Sequence, residues 1–157
     1  MDDMLAALAS LRCWDGHPGD SAEAVQALPV CLALAGHALS LRGHRLEAST
    51  VASGRDPVRM PDFTYAVLGL LLHAMDRHTT AQVFRLAHQP GQLRLWTEPL
   101  QPRGVPTPLP FPPRPRLDAQ ALQWLVDDLG WTLAPAQVQG AGLSEWRLCW
   151  RPSAGAG

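Results

Sequence analysis

Four residues near the middle of the chain have types and a spacing that suit ligand chemistry. Gly69, His73, Asp76 and Arg77 fall at positions i, i+4, i+7 and i+8 of an apolar run, so a helix places them on one face. A histidine three residues before an aspartate is a candidate for metal binding or proton transfer, although a plain surface contact between the two is the commoner arrangement. We expect the surface contact and no metal, and we take this face as the first candidate site.

Nucleophiles are harder to find. His37 lies on an apolar stripe, which favours a core or interface residue over a phosphorylation site. Ser144 follows Gly142 but lacks the GxSxG elbow of serine hydrolases. The cysteines are odd in number and scattered, which indicates reduced thiols rather than a disulfide framework or a zinc site. We therefore predict no catalytic residue.

The composition excludes several classes of partner. The length of 157 residues predicts one domain, and thirteen basic against fourteen acidic residues leave no charge excess to attract nucleic acid. The chain has no lysine and no asparagine, which excludes a lysine Schiff base and a P-loop lysine. We expect no apolar run of the roughly 18–20 residues that a membrane span needs. The acidic start lacks the basic lead of a secretory signal, so a cytoplasmic protein is expected.

The main domain is predicted to begin with a long helix over about 20–42. Asp20 and Glu23 have the spacing of a capping box, and Gly43 suits the residue just beyond the helix end. Pro29 removes a backbone donor inside this helix, so we expect a kink or a division that leaves 30–42 best formed.

Strands and two further helices account for most of the remaining chain. The second helix, about 63–78, takes Asp62 as its N-cap, and the third has Asp118 in its first turn. Alternating residues predict five strands, at 44–52, 81–88, 92–97, 131–138 and 144–151. This order predicts an α+β fold, a two-layer α/β sandwich with helices on one face of a mixed, mostly antiparallel sheet.

The two ends of the chain are predicted to lie outside this domain, which we place at 20–152. Residues 1–19 form an N-terminal helical arm in which Leu5 and Leu8 belong to an amphipathic stripe. We expect this arm to contact a protein partner, or a second copy of the chain in a homodimer. Residues 153–157 are predicted to be a disordered tail.

A proline-rich segment, 99–116, is unsuited to a helix or an interior strand because it carries eight prolines. As a polyproline helix it would dock into an aromatic groove of a partner, with Pro112, Pro113 and Arg114 resembling such ligands. The two other interpretations are a rigid lid over a pocket and a solvent-exposed connector that no partner binds.

The element order and three short stretches resemble the ATP-binding domain of sensor histidine kinases, the Bergerat or GHKL fold. Leu70-Leu71-Leu72-His73-Ala74-Met75-Asp76 looks like the N-box helix of this family, and 41–46 looks like the passage from the first helix into its strand. The stretch at 140–148 looks like the terminal glycine box, with Gly140 and Gly142 in place. The resemblance covers about 25–152.

The residues that depart from the family pattern are those that bind Mg²⁺ and the nucleotide in the family. The resemblance places His73 where the family has the asparagine that holds Mg²⁺, and neutral imidazole is a poor ligand for Mg²⁺. It also implies an aspartate that receives adenine after the strand at 92–97, where this chain offers Glu98 followed by Pro99. The proline-rich segment stands where the family has its ATP lid.

The resemblance therefore implies a degenerate kinase-type domain. We expect a non-catalytic signalling adaptor or regulator without a cofactor, whose partner is a response regulator or a sensor component. The first alternative is an ATP and Mg²⁺ binding domain with altered ligands, which would use Gly69, His73, Asp76, Arg77, Glu98, Gly140 and Gly142. The second is a histidine phosphotransfer protein that uses His37.

Overall fold

The computed structural model describes residues 21–51, 55–101, 103–111, 117–137 and 144–150. Three helices are present there: α1 (Ala24–Leu41), α2 (Met60–Met75) and α3 (Ala119–Asp128). The strands are β1 (Ser21–Glu23), β2 (Arg45–Thr50), β3 (Pro57–Arg59), β4 (Gln82–Gln89), β5 (Gln92–Pro99), β6 (Thr132–Gln137) and β7 (Ser144–Cys149).

The main sheet has five strands in the order β2-β4-β5-β7-β6. Strands β2 and β4 are parallel, and the other three pairs are antiparallel. The connection between β2 and β4 runs through β3 and α2, as a parallel pair requires a crossover. The helices pack on this sheet, so the predicted α+β fold with a mixed, mostly antiparallel sheet is confirmed.

A second, two-stranded sheet was not predicted. Strand β1 pairs antiparallel with β3, in the register Ser21 with Arg59 and Glu23 with Pro57. Each strand has only three residues, which is too short for alternation to be recognised in the sequence. This small sheet fixes the start of α1 beside the start of α2.

Helix α1 continues through Pro29, so the predicted division of this helix is wrong. Its buried face runs without interruption from Ala24 through Leu28 and Cys31 to Leu39. Burial of that face outweighs the cost of about 3 kcal/mol for proline inside a helix. At the other end, the amides of Gly43 and His44 bond to the carbonyls of Ser40 and Leu39, which is a Schellman motif.

The predicted helix starts also need correction. Glu23 is the N-cap of α1, and its carboxylate accepts the backbone N–H of Asp56 at 2.6 Å instead of closing a capping box. Asp20 lies outside the described residues. Helix α2 begins at Met60 with Arg59 as its N-cap, so Asp62 lies within the first turn and pairs with Arg59 at 3.3 Å. Pro61 explains the early start, because proline is well tolerated in the first turn.

Helix α1 is long and apolar enough to cross a membrane by length and composition, with a mean hydropathy of 1.6. The expectation that no such run exists was therefore wrong. The core helix of a soluble protein passes the same test. Here α1 packs against α2 and β2, and its inner face belongs to the hydrophobic core.

Candidate functional site

Of the four predicted residues, Gly69 and His73 lie in α2, on the side that meets α3 and the sheet. The helix ends at Met75 and not near 78 as predicted, so Asp76 is its C-cap and Arg77 lies beyond it. Gly69 lies under α3, because a Cβ atom at this position would be 3.1 Å from Leu125 Cδ2 and 3.4 Å from Leu122 Cδ1. The side chain of Leu117, two residues before α3, is the third neighbour, at 3.6 Å from that Cβ position. Leucine side chains therefore cover Gly69 completely enough to exclude a ligand from direct contact with its backbone.

His73 and Asp76 are both buried, so the predicted position of this pair at the surface is wrong. Its Nδ1 atom lies 2.9 Å from the carbonyl oxygen of Leu117, and because a carbonyl only accepts, Nδ1 carries the proton. The ring stands edge-on to Trp146 of β7, with 6.2 Å between the ring centroids. His73 thus ties α2 to the segment that leads into α3.

Asp76 and Arg77 turn away from each other at the end of α2. Asp76 is buried and accepts a hydrogen bond of 2.7 Å from Arg42, the C-cap residue of α1. Arg77 places its guanidinium 5.9 Å from the ring centroid of Trp146. The carboxylate that would help to hold a metal is therefore already neutralised by a cation.

Two further histidines, His44 and His78, lie just beyond the ends of α1 and α2. Together with His73, Asp76 and Arg77 they form what we call the polar cluster. His44 accepts the backbone N–H of Gln82 through Nδ1 at 3.1 Å, and its Nε2 atom is buried without a hydrogen-bond partner. His78 lies 3.2 Å from the hydroxyl of Thr97, and both rings stand edge-on to Phe84. Burial, together with His78 and Arg42, lowers the pKa of His44 to about 4. Burial and Arg77 also lower the pKa of His78, so both rings are neutral at pH 7.

Glu98 is not part of this cluster. The inward residues of β5 alternate as Leu93, Leu95 and Thr97, so Glu98 points to the face of the sheet opposite the described helices. There its carboxylate accepts a hydrogen bond of 2.9 Å from Arg85, which also pairs with Glu47. The inward position next to it belongs to Thr97. The structure therefore does not bring Glu98 together with His73 and Asp76.

The described part of the proline-rich segment is attached to the domain. The carbonyl of Thr107 accepts the backbone N–H of Ala81 at 2.9 Å, and Pro108 forms a bridge with Thr80. Pro110 reaches the end of α1, where its Cδ atom is 3.3 Å from the position of a Cβ on Gly43. This segment therefore lies beside the end of α1 and the residues that lead into β4.

A buried polar network at the other end of the sheet was missed in the sequence. Asp56 accepts the indole N–H of Trp150 at 2.8 Å, and its second oxygen lies 2.9 Å from His88 Nε2. The other ring nitrogen of His88 lies 2.9 Å from the hydroxyl of Thr50. The rings of His88 and Trp150 are stacked, with an interplanar angle of 6°. The network joins the loop before β3 to β2, β4 and the end of β7.

Several predicted residues lie outside the described residues. These are Leu5, Leu8, Pro112, Pro113, Arg114, Gly140 and Gly142. His37 was expected to be a core or interface residue; it lies on the exposed side of α1, so the core position is wrong. Within the described ranges, no three histidine, cysteine or carboxylate side chains are grouped as a metal site would require.

Solved structures of similar shape settle the type of fold. The structure of the cytoplasmic segment of histidine kinase QseC superposes with a TM-score of 0.60 over 96% of this chain and 89% of that one, at 14% identity. The histidine kinase AdeS of Acinetobacter baumannii gives 0.55 over 97% and 76%, at 11% identity. The chain has a histidine-kinase-type fold. No protein-family model and no curated protein matches the sequence.

By the resemblance of α2 to the N-box helix, ATP and Mg²⁺ would meet the face that carries Gly69, His73 and Asp76. On that face, leucine side chains cover Gly69, His73 is bonded to the carbonyl of Leu117, and Asp76 is paired with Arg42. The described side chains therefore do not fit Mg²⁺, which prefers several free oxygen ligands.

Proposed function

We propose that this protein is a non-catalytic regulator of two-component or related signalling, which acts by protein contact. The observation that carries the proposal is the bond from His73 to the Leu117 carbonyl, with Leu117, Leu122 and Leu125 packed over Gly69. These contacts use the α2 face on which the related fold would hold its nucleotide. We therefore infer that the chain keeps the fold for contact with protein partners, while its own side chains occupy the face that would bind a nucleotide.

The free energies of the missing contacts support the proposed loss of nucleotide binding. Each lost charge-assisted contact to metal or phosphate costs about 1.5–3 kcal/mol, or roughly ten- to a hundredfold in affinity. His73, Asp76 and Glu98 would each have to leave a present partner before contacting ATP. Binding would therefore also require the free energy of breaking those contacts.

Calorimetric titration of the full chain with Mg·ATP tests the proposal. We expect no saturable heat at nucleotide concentrations up to about 1 mM, which corresponds to a binding free energy weaker than about −4 kcal/mol. Near-UV circular dichroism of the same sample establishes that the domain is folded. Saturable binding in the micromolar range would contradict the proposal and support the alternative of an ATP-binding domain with altered ligands.

The partner that we propose is a response regulator or a sensor component in the cytoplasm. The similar solved structures support this choice, because they are histidine kinases and the QseC structure is that of a cytoplasmic segment. A pull-down with the purified full chain, repeated with response regulators from the same cell, tests this assignment. We expect capture that survives without ATP, since contact and not phosphate transfer is proposed.

Phosphate transfer through His37 is a second candidate because the residue is exposed on α1. An exposed imidazole is accessible to an aspartyl phosphate of a response regulator, whereas a buried one is not. Phosphate uptake by the wild type and not by the variant His37→Ala would support this function. Equal uptake, or none, would remove it.

A further inference from the structure

An apolar groove runs between α1 and α2 on the outer side of the helix layer. Its α1 wall includes Leu34, Ala38 and Leu39, and its α2 wall includes Leu68, Leu72 and Met75. Its volume is about 300 Å³, and every side chain that lines it is apolar. Leu34, Ala38, Leu68 and Leu72 are only partly buried, so the groove, which we name the α1–α2 groove, is left open by the described residues.

We propose that residues 2–14 of the same chain bind in the α1–α2 groove as an amphipathic helix that runs antiparallel to α1. The sequence supplies the matching surface, because Met4, Leu5, Leu8 and Leu11 have helical spacing. A helix rises about 1.5 Å per residue, so this stripe is about 10 Å long. The α2 wall from Leu68 to Met75 has the same length, about 10 Å.

The length of the connecting segment selects the antiparallel direction. Seven residue steps separate Trp14 from Ser21, where β1 begins, and they span at most about 25 Å. The middle of the α1 wall lies about 19 Å along α1 from Ala24. With the stripe centred there, an antiparallel helix places Trp14 about 9 Å along α1, which the connection spans easily. A parallel helix places it about 29 Å along α1, beyond reach.

This inference is independent of nucleotide binding and concerns how the partner surface is controlled. A bound arm adds a helix on the outer side of α1 and α2 and covers apolar side chains that would otherwise face water. A partner helix with the same apolar spacing would have to displace the arm. Occupation of the α1–α2 groove by the arm of a second copy is the competing arrangement.

Hydrogen exchange on the full chain, with mass spectrometry, tests the proposal. We expect the amides of the arm to exchange about tenfold or more slowly than in the double variant Leu5→Asp, Leu8→Asp. The groove variant Leu34→Asp, on a partly buried side chain, is expected to release the arm to the same extent. Leu41→Asp is the matched control, because Leu41 is 62% exposed on α1 and does not line the groove.

Three results would overturn the proposal. The first is an arm that exchanges as fast in the wild type as in the double variant. The second is an arm whose protection survives both Leu34→Asp and Leu72→Asp while circular dichroism shows a folded domain. The third is sedimentation of the wild type as a dimer that the double variant converts to a monomer, which would assign the arm to a second copy. Sedimentation as a monomer together with a protected arm supports binding within one chain.

Discussion

The ring of His73 and the carbonyl of Leu117 are joined by a hydrogen bond of 2.9 Å across 44 residues of sequence. His73 stands at the N-box-like position of α2, and Leu117 belongs to the segment that enters α3. The bond therefore closes the helix layer on the α2 face that, by the resemblance to the N-box helix, would meet a nucleotide. The side chain of Leu117 completes the closure by packing toward Gly69.

Restoring the family residue at this position should not restore nucleotide binding. We expect His73→Asn to give no saturable heat with Mg·ATP, because Leu117 still covers the site and Asp76 is still paired with Arg42. Calorimetry measures the binding, and urea unfolding establishes that the variant is folded. Micromolar binding by His73→Asn would mean that the closure yields to the ligand and that histidine alone prevents binding.

Two glycines, one with a positive φ and one inside a helix, are expected to have opposite effects on stability when replaced by alanine. Gly43 has φ of +84°, and a Cβ there would meet Pro110 Cδ at 3.3 Å. We expect Gly43→Ala to lower the free energy of unfolding by about 1–2 kcal/mol. Gly36 is its control inside α1, where a Cβ would meet only Leu46 at 3.9 Å. Gly36→Ala should raise the same free energy by about 0.5–1 kcal/mol, and urea titration of both variants measures the difference.

The buried histidines predict a loss of stability in mild acid. The pKa of His44 is about 4 in the folded chain and 6.5 in the unfolded chain, so between these values the unfolded chain binds more protons. The free energy of unfolding therefore falls as the pH falls from about 6.5 to about 4, with a slope of up to about 1.4 kcal/mol per pH unit from this group. The lowered pKa of His78 acts in the same direction.

Urea unfolding at a series of pH values measures this dependence. The variant His44→Gln lacks the titrating group and should show a smaller slope over the same range. His37→Gln, on the exposed side of α1, is the matched control and should leave the slope unchanged. An equal slope in the wild type and in His44→Gln would contradict the assignment to His44.

Replacement of Asp56 is predicted to lower the free energy of unfolding strongly, because its carboxylate accepts two buried hydrogen bonds. Asp56→Ala leaves the indole of Trp150 and the ring of His88 without their buried acceptor, so we expect a loss of about 2–5 kcal/mol in the free energy of unfolding. Asp62→Ala is the matched control, because it removes a more exposed ion pair with Arg59 and should cost less than about 1 kcal/mol. A loss below 1 kcal/mol for Asp56→Ala would contradict the structural role of the network.

The sequence was most informative where a residue pattern repeats over a whole element. The hairpin of β4 and β5 and the alternation in β7 were predicted because each strand offers several inward apolar residues. The course of α1 through Pro29 could not be predicted, since it depends on burial against α2 that local rules do not contain. The β1–β3 pair escaped prediction because three residues carry no period.

The candidate site shows the same division. The face of α2 that carries Gly69 and His73 followed from helical spacing, whereas its contacts with Leu117 and Leu125 depend on how α3 packs. Alternation in β5 would have placed Glu98 on the outer side of the sheet. His88 shares the inward side of β4 with Phe84 and Leu86, which marks it as a buried polar residue in need of a partner. Its partner Asp56 lies 32 residues away and gave no local signal.

The bond between Asp56 and Trp150 also sets an order of events for the folding chain. The two residues are 94 positions apart, and Trp150 follows the strand β7 that lies between β5 and β6. A ribosome must therefore release nearly the whole domain before the carboxylate of Asp56 can accept the indole N–H of Trp150. In earlier folding intermediates that carboxylate must stay hydrated. Contacts of such separation slow folding, so we infer that closure around Asp56 is a late step in the acquisition of the native state.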